Sequence, residues 1–354
     1  MKSGKLNIPK TWLLLTVILG IMLLFSFALK PDVDVRFITP KGWPKPVYDF
    51  NKNKITVNGF KLGRALFYDP ILSRDSTISC ASCHLQSTGF THSDHTLSHG
   101  IDGLIGTRNS STLANLAWSN SFMWDGAVNN LEVQAINPIT NPLEMDSKLE
   151  DVIRKLNNSV PYKRMFYKAF GDSLVNSKRL LKAITQFVVM FESNNSKYDK
   201  VKRNEKYVSF TEQEDRGYIL FKKNCESCHS EPLFTNNKFE NNGLTADPEL
   251  KDYGRMKITN DASDSLKFKV PSLRNIFVSG PYMHDGRFRS LEKVLDHYTN
   301  GIQQSATLSE KIKAPIVLTK AEKLDIIMFL RTLNDKEFVY DLRFRYHPVE
   351  LVED

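Results

Sequence analysis

The chain has 354 residues, 25% charged and 41% apolar, with 17 Gly and 15 Pro, a balance that excludes disordered, collagenous and coiled-coil classes. Its net charge of +8 is dispersed. No block of five or more Lys/Arg, and no basic run interleaved with aromatics, gives it the footprint of a nucleic-acid-binding protein.

The first element is a leader. Lys2, Lys5 and Lys10 precede residues 11–29, nineteen residues without a charge, which Lys30 and Pro31 close. That length suits a spanning helix of about 20 residues better than a signal-peptide core of about 7–15. Ser26-Phe27-Ala28, however, is a small-x-small triplet that a signal peptidase could cut. Residues 1–30 therefore read as a membrane anchor or a signal peptide. In both cases the positive flank stays inside and the rest of the chain is exported, so the periplasm is the expected compartment.

All four cysteines fall in two C-x-x-C-H motifs, Cys80-Ala-Ser-Cys83-His84 and Cys225-Glu-Ser-Cys228-His229. This is the signature of covalent c-type haem attachment. Two thiols one helical turn apart can add to the two vinyl groups of a porphyrin, and the next imidazole, His84 or His229, reaches the iron from the same side. A zinc ribbon would not place its pairs 145 residues apart, and neither zinc nor a thioredoxin-like pair asks for histidine after each one. Disulfides remain open to an exported chain, yet two histidine-tailed pairs with no cysteine left over favour two haems.

The chain also repeats itself. Phe122-Met123-Trp124-Asp125-Gly126 followed by Leu131-Glu132 matches Tyr282-Met283-His284-Asp285-Gly286 followed by Leu291-Glu292, at an offset of 160. Thr112-Leu113-Ala114-Asn115 and Ser272-Leu273-Arg274-Asn275 keep that offset, and Gly63-x-x-x-Phe67 pairs with Gly217-x-x-x-Phe221 at 154. We read two copies of one haem domain, over residues 31–200 and 201–354. Helix signals predict a mainly α fold: Thr211-x-x-Glu214 and Thr319-x-x-Glu322 form capping boxes, and Leu180, Leu181, Ile184, Phe187, Val188 and Phe191 line one helical face. Residues 85–115 and 230–270 read as irregular, shaped around a porphyrin. Residues 335–354 read as a tail wrapping one copy.

These residues resemble the bacterial di-haem cytochrome c peroxidases over residues 58–335. The carriers are Leu62-Gly63-Arg64-Ala65-Leu66-Phe67-Tyr68-Asp69-Pro70, the Cys80–His84 and Cys225–His229 motifs, Arg108-Asn109, Trp124-Asp125-Gly126, Glu144-Met145 and the Pro281–Gly286 turn. The resemblance implies two tandem, mainly helical cytochrome c-like domains with the active site between them. It implies a first haem that meets hydrogen peroxide, and a second that collects electrons from a small cytochrome c or cupredoxin. Gln134-Ala135 and Glu144-Met145 match the family's E-Q-A … E-M pattern. Glu144 then resembles the acid/base that moves a proton between the peroxide oxygens, with Gln134 beside it. Trp124 falls on the tryptophan that relays electrons between the haems. Asn109, Ser279 and Pro281 resemble ligands of a calcium ion, the last two through carbonyls. Members often form homodimers, an expectation that rests on the resemblance alone.

The chain departs from the pattern at both distal positions. Where the second haem usually has a methionine ligand, fourteen residues beyond His284, this sequence has Tyr298, with His297 as a neighbouring rival. A tyrosine here resembles the MauG branch, which uses di-haem chemistry to mature a tryptophan-derived quinone in another protein; phenolate favours oxidised iron, whereas methionine raises the potential. The family's reductively activated members close the first haem with a histidine about sixteen residues after the motif. His99-Gly100 is the nearest match, with His92 and His95 in the same loop. Three readings follow: a peroxidase using a small exported donor, a MauG-like oxidase acting on a protein or organic substrate, and an electron carrier, which would leave Glu144 and Gln134 without a task.

Overall fold

The computed structural model describes residues 34–348. The candidate leader lies outside the described residues, and among those described no helix is long and apolar enough to cross a membrane. From Val35 onward the chain forms one contact unit, within which both C-x-x-C-H segments sit.

Helix α1 (Val57–Tyr68) starts where the Thr56 hydroxyl accepts the Gly59 N–H, and it buries Phe60, Leu62, Leu66 and Phe67. After α2 (Leu149–Asn158) and α3 (Val160–Phe170) comes α4 (Ser177–Val188), which brings the predicted apolar face of Leu180, Leu181, Ile184, Phe187 and Val188 against α1. Gly63 is required at that crossing. A Cβ there would stand 1.9 Å from the Ala183 carbonyl oxygen.

The second half repeats the arrangement. Helix α5 (Glu212–Asn224) and helix α7 (Lys320–Arg331) open on the two predicted capping boxes and pack together, with α6 (Leu291–Asp296) beside α7. Gly217 lies 1.9 Å, by the same measure, from the Asp325 carbonyl oxygen. Around this pair Tyr198, Phe221, Phe234, Ile326, Phe329 and Leu333 form the core.

Between helices the chain is irregular, as the composition predicts, apart from two two-residue strands, β1 (Phe239–Glu240) and β2 (Phe268–Lys269), paired antiparallel. The repeated segments adopt the same local shapes. Asn115 and Asn275 are both left-handed, at φ 60° and 62°. Each starts a single 3₁₀ turn, and each of the following M-[W/H]-D-G turns carries a left-handed methionine and glycine, closed by a bridge, Phe122 to Val128 or Tyr282 to Phe288.

The described part of the tail packs on the first half. Arg64 donates to the Arg343 carbonyl at 2.8 Å, the Tyr68 hydroxyl donates to the Phe344 carbonyl at 2.6 Å, and Phe344 is buried among Phe60, Phe90, Phe187 and Phe191.

Candidate functional site

Cys80–Cys83 is a single helical turn, opened where the Ser79 N–H donates to Ser82 Oγ at 3.1 Å. Its geometry puts both thiols on one side and hands the chain to His84. The His84 Nδ1 lies 2.9 Å from the Phe90 carbonyl oxygen, and Phe90 holds a left-handed φ of 60° to turn that oxygen inward. In the second half His229 Nδ1 is 3.2 Å from the Phe234 carbonyl and 3.1 Å from that of Pro271, and Phe234 is again left-handed, at φ 55°. A bulky residue in this region is costly and marks a constraint. Both imidazoles thus give Nδ1 to the backbone and keep Nε2 as the available ring atom, the second-shell pattern of a metal-ligating histidine. Burial lowers both pKa values to about 4, which keeps the rings neutral, the ligating form.

The residues therefore fit haem. A single cavity is walled by Cys225, Cys228 and His229 on one side and by Tyr298, Met283 and Phe268 on others, with Leu233, Leu273, Leu291, Leu295, Ile326 and Leu330 supplying apolar surface. It extends to the first half through Ser110, Met123, Trp124 and Gln134.

The sequence-predicted residues distribute as follows. Glu144 is held by Asn141, whose Nδ2 donates to Oε1 at 2.8 Å, while its own carbonyl accepts the Ile101 N–H at 2.8 Å. Burial pushes its carboxyl above the usual range, and the Asn141 bond offsets part of that. Its charge is felt at the Cys80 and Cys83 thiols, which places it near the first motif. Gln134 lines the cavity, with Nε2 3.6 Å from Met123 Sδ. Trp124 donates its indole N–H to the Asn109 carbonyl at 2.8 Å and accepts the Lys269 N–H on its own carbonyl at 2.7 Å.

Asn109 joins the halves. Its N–H donates to the His284 carbonyl at 2.7 Å, its Nδ2 to the Pro281 carbonyl at 2.7 Å, and its buried Oδ1 has no partner. An orphaned acceptor beside carbonyls is what a hard cation with oxygen ligands would use. Ser279 shares the cavity wall with Pro281, its hydroxyl donating to the Ile276 carbonyl at 3.3 Å.

Tyr298 and His297 separate. Tyr298 is on the cavity wall, its phenol pushed up to about 12 by burial. His297 Nε2 is engaged with the Asn242 carbonyl at 2.8 Å, and its ring is absent from that wall. His99 gives its carbonyl to the Cys83 thiol at 3.4 Å, while its ring lies 4.3 Å from that of His95, which is 5.0 Å from His92.

Sequence reasoning missed the charge bridge above Trp124. Arg108 donates to Asp125 at 2.7 Å and, bidentately, to Asp252 at 2.6 and 2.9 Å. Asp252 sits in an irregular stretch where no spacing signals it. His284, the counterpart of Trp124, stacks on Phe268 with ring centroids 3.7 Å apart.

With this geometry in place, the family model described as di-haem cytochrome c peroxidase matches residues 57–207. The methylamine utilization protein MauG of Methylorubrum extorquens is 35% identical over 310 residues, covering 84% of this chain and 83% of its own. The chain belongs to the di-haem cytochrome c peroxidase family. It is thereby an oxidoreductase with two haems, and the helix-rich architecture is that family's. The cytochrome c551 peroxidase of Nitrosomonas europaea is 36% identical over 278 residues, covering 77% of this chain and 79% of the relative. Among solved structures, a MauG-like protein associated with microbial copper homeostasis superposes with a TM-score of 0.77 at 32% identity, over 88% of this chain and 98% of that one.

Proposed function

We propose that the protein is an exported di-haem peroxidase, with one haem attached covalently at Cys80 and Cys83 under His84, and the other at Cys225 and Cys228 under His229. The observation that carries this is the shared imidazole geometry: each histidine of a C-x-x-C-H motif donates Nδ1 to a backbone carbonyl and is neutral. The matched local shapes of the two halves support an internal duplication, with residues 31–200 as the peroxide-reacting domain and 201–354 as the electron-collecting one, whose tail reaches back onto the first.

Haem iron, when bound, supplies the redox chemistry that takes hydrogen peroxide, two protons and two electrons to two waters. The chain's own residues manage the protons and the path. Glu144, with its carboxyl pushed up by burial, takes a proton from one peroxide oxygen and returns it to the leaving one, and Gln134 supplies a neutral polar neighbour. Trp124, fixed at both its indole N–H and its carbonyl, carries electrons between the two halves. Asn109, with the Ser279 and Pro281 carbonyls, holds a calcium ion where the halves meet. The donor is a small cytochrome c or cupredoxin in the periplasm, and residues 1–30 direct the export.

A second reading is favoured by Tyr298. Its place on the cavity wall, with His297 committed elsewhere, supports Tyr298 as a residue that would hold the second haem, which would then supply oxidising chemistry toward a protein or organic substrate. The test is peroxide consumption by the purified, haem-stained protein. Turnover with reduced small cytochromes supports the peroxidase reading, and peroxide consumption only in the presence of an oxidisable protein or organic reductant supports the second. No consumption with either refutes both.

A further inference from the structure

Among the described residues, Lys269 is the only Lys or Arg on the wall of the cavity that runs from Trp124 to Cys225 and Cys228. Its Nζ donates to the Ser121 carbonyl at 2.8 Å and stands 5.9 Å from the Phe122 ring centroid. Among the described residues it makes no ion pair, although neighbouring cations do. Lys311 reaches Glu240 at 2.7 Å, Arg108 holds Asp125 and Asp252, and Arg274 holds Asp199. Glu240, the one acidic residue on the same wall, is thus already engaged. The Tyr282 phenol on the same wall is pushed up to about 12 by burial and offers no negative charge. Burial pushes the amine itself down to about 8.

An ammonium removed from water without a counter-charge is costly, and folded proteins pair it or neutralise it. The cavity must hold a cofactor that brings its own carboxylates, since each haem carries two propionates. We infer that Lys269 is a carboxylate-binding residue whose partner is a propionate of the haem attached at Cys225 and Cys228. This rests on the haem reading of that motif. Lys269 is then a positioning residue: its N–H holds the Trp124 carbonyl at 2.7 Å while its side chain holds the haem edge, so one residue fixes the indole and the porphyrin relative to each other.

The test uses the haem-loaded protein. Mass spectrometry of the Cys225–Cys228 peptide comes first, because a peptide without haem would refute the reading of the site rather than the assignment of Lys269. Spectroelectrochemistry then compares wild type, Lys269→Met and Lys269→Arg. A cation beside the porphyrin favours its reduced form, so Lys269→Met is expected to lower the midpoint potential of the second haem more than that of the first, and Lys269→Arg to match wild type. Equal second-haem potentials in wild type and Lys269→Met overturn the assignment. Should Lys269→Met fail to accumulate with haem, carbon-13 NMR of wild type labelled at the propionate carboxyls decides. One carboxyl ionising about 1–3 pH units below the others is expected, and carboxyls that titrate together overturn the assignment.

Discussion

The two C-x-x-C-H regions share their scaffolding and differ in the polar groups near them. In both, a glycine lets two helices meet at backbone distance, a left-handed phenylalanine turns its carbonyl onto the imidazole, and a left-handed asparagine opens the segment leading to the M-[W/H]-D-G turn. The first region then adds a buried carboxyl, Glu144, near its thiols. The second adds a phenol, Tyr298, and mostly apolar walls. Scaffolding proposed to hold a haem is common to both halves. The chemistry proposed for each is set by a few residues outside the repeated motifs.

That contrast can be broken where it is strongest. Glu144→Gln keeps shape and hydrogen bonding while removing the proton carrier, and is expected to cut peroxide-dependent turnover by about 10²–10⁴-fold in a stopped-flow assay. A rate within twofold of wild type would remove Glu144 from its role. Next in size is Arg274, whose bidentate pair with Asp199 is fully buried in the second half. Arg274→Met leaves that carboxylate unpaired and is expected to lower unfolding stability by about 3–5 kcal/mol in denaturant titrations of the haem-loaded protein.

The shared helix crossing gives a smaller and symmetric effect. Gly63→Ala and Gly217→Ala each force a methyl toward a carbonyl oxygen 1.9 Å away, and each is expected to cost about 1–3 kcal/mol, seen as a lowered denaturant midpoint. Similar losses in the two variants would sharpen the view that the halves share one scaffold, and a loss confined to one would break it. The last effect is in acid. Burial would raise the Asp252 carboxyl, but Arg108 overcomes this and holds it at about 2, below the unfolded value of about 3.9. Its contribution is complete above about pH 4 and is lost as pH falls toward 2. Asp252→Asn is expected to flatten that part of the stability profile.

The helix-rich fold, the capping boxes and the α4 face were legible because each rests on short-range spacing. The tail was legible as a wrapping segment but its partners were not, nor was the Arg108 bridge, since both join residues more than a hundred positions apart with no periodicity to announce them: Arg64 meets Arg343, and Arg108 meets Asp252. The choice between Tyr298 and His297 is a different case. Adjacent residues share a sequence context, and only three-dimensional placement puts Tyr298 on the cavity wall and ties the His297 ring to Asn242. Lys269 was invisible for a third reason, because a lysine in a two-residue strand reads as surface until its surroundings are known.

The Tyr298 reading implies a first haem that meets peroxide beside Glu144 without prior reduction. The most direct measurement mixes the fully oxidised, haem-loaded protein with one equivalent of hydrogen peroxide in a stopped-flow spectrometer. An immediate change in the haem absorption bands, without prior reduction, is the predicted result. Silence until one electron has been added would contradict it and favour the reductively activated peroxidase, with His99 as the first residue to replace.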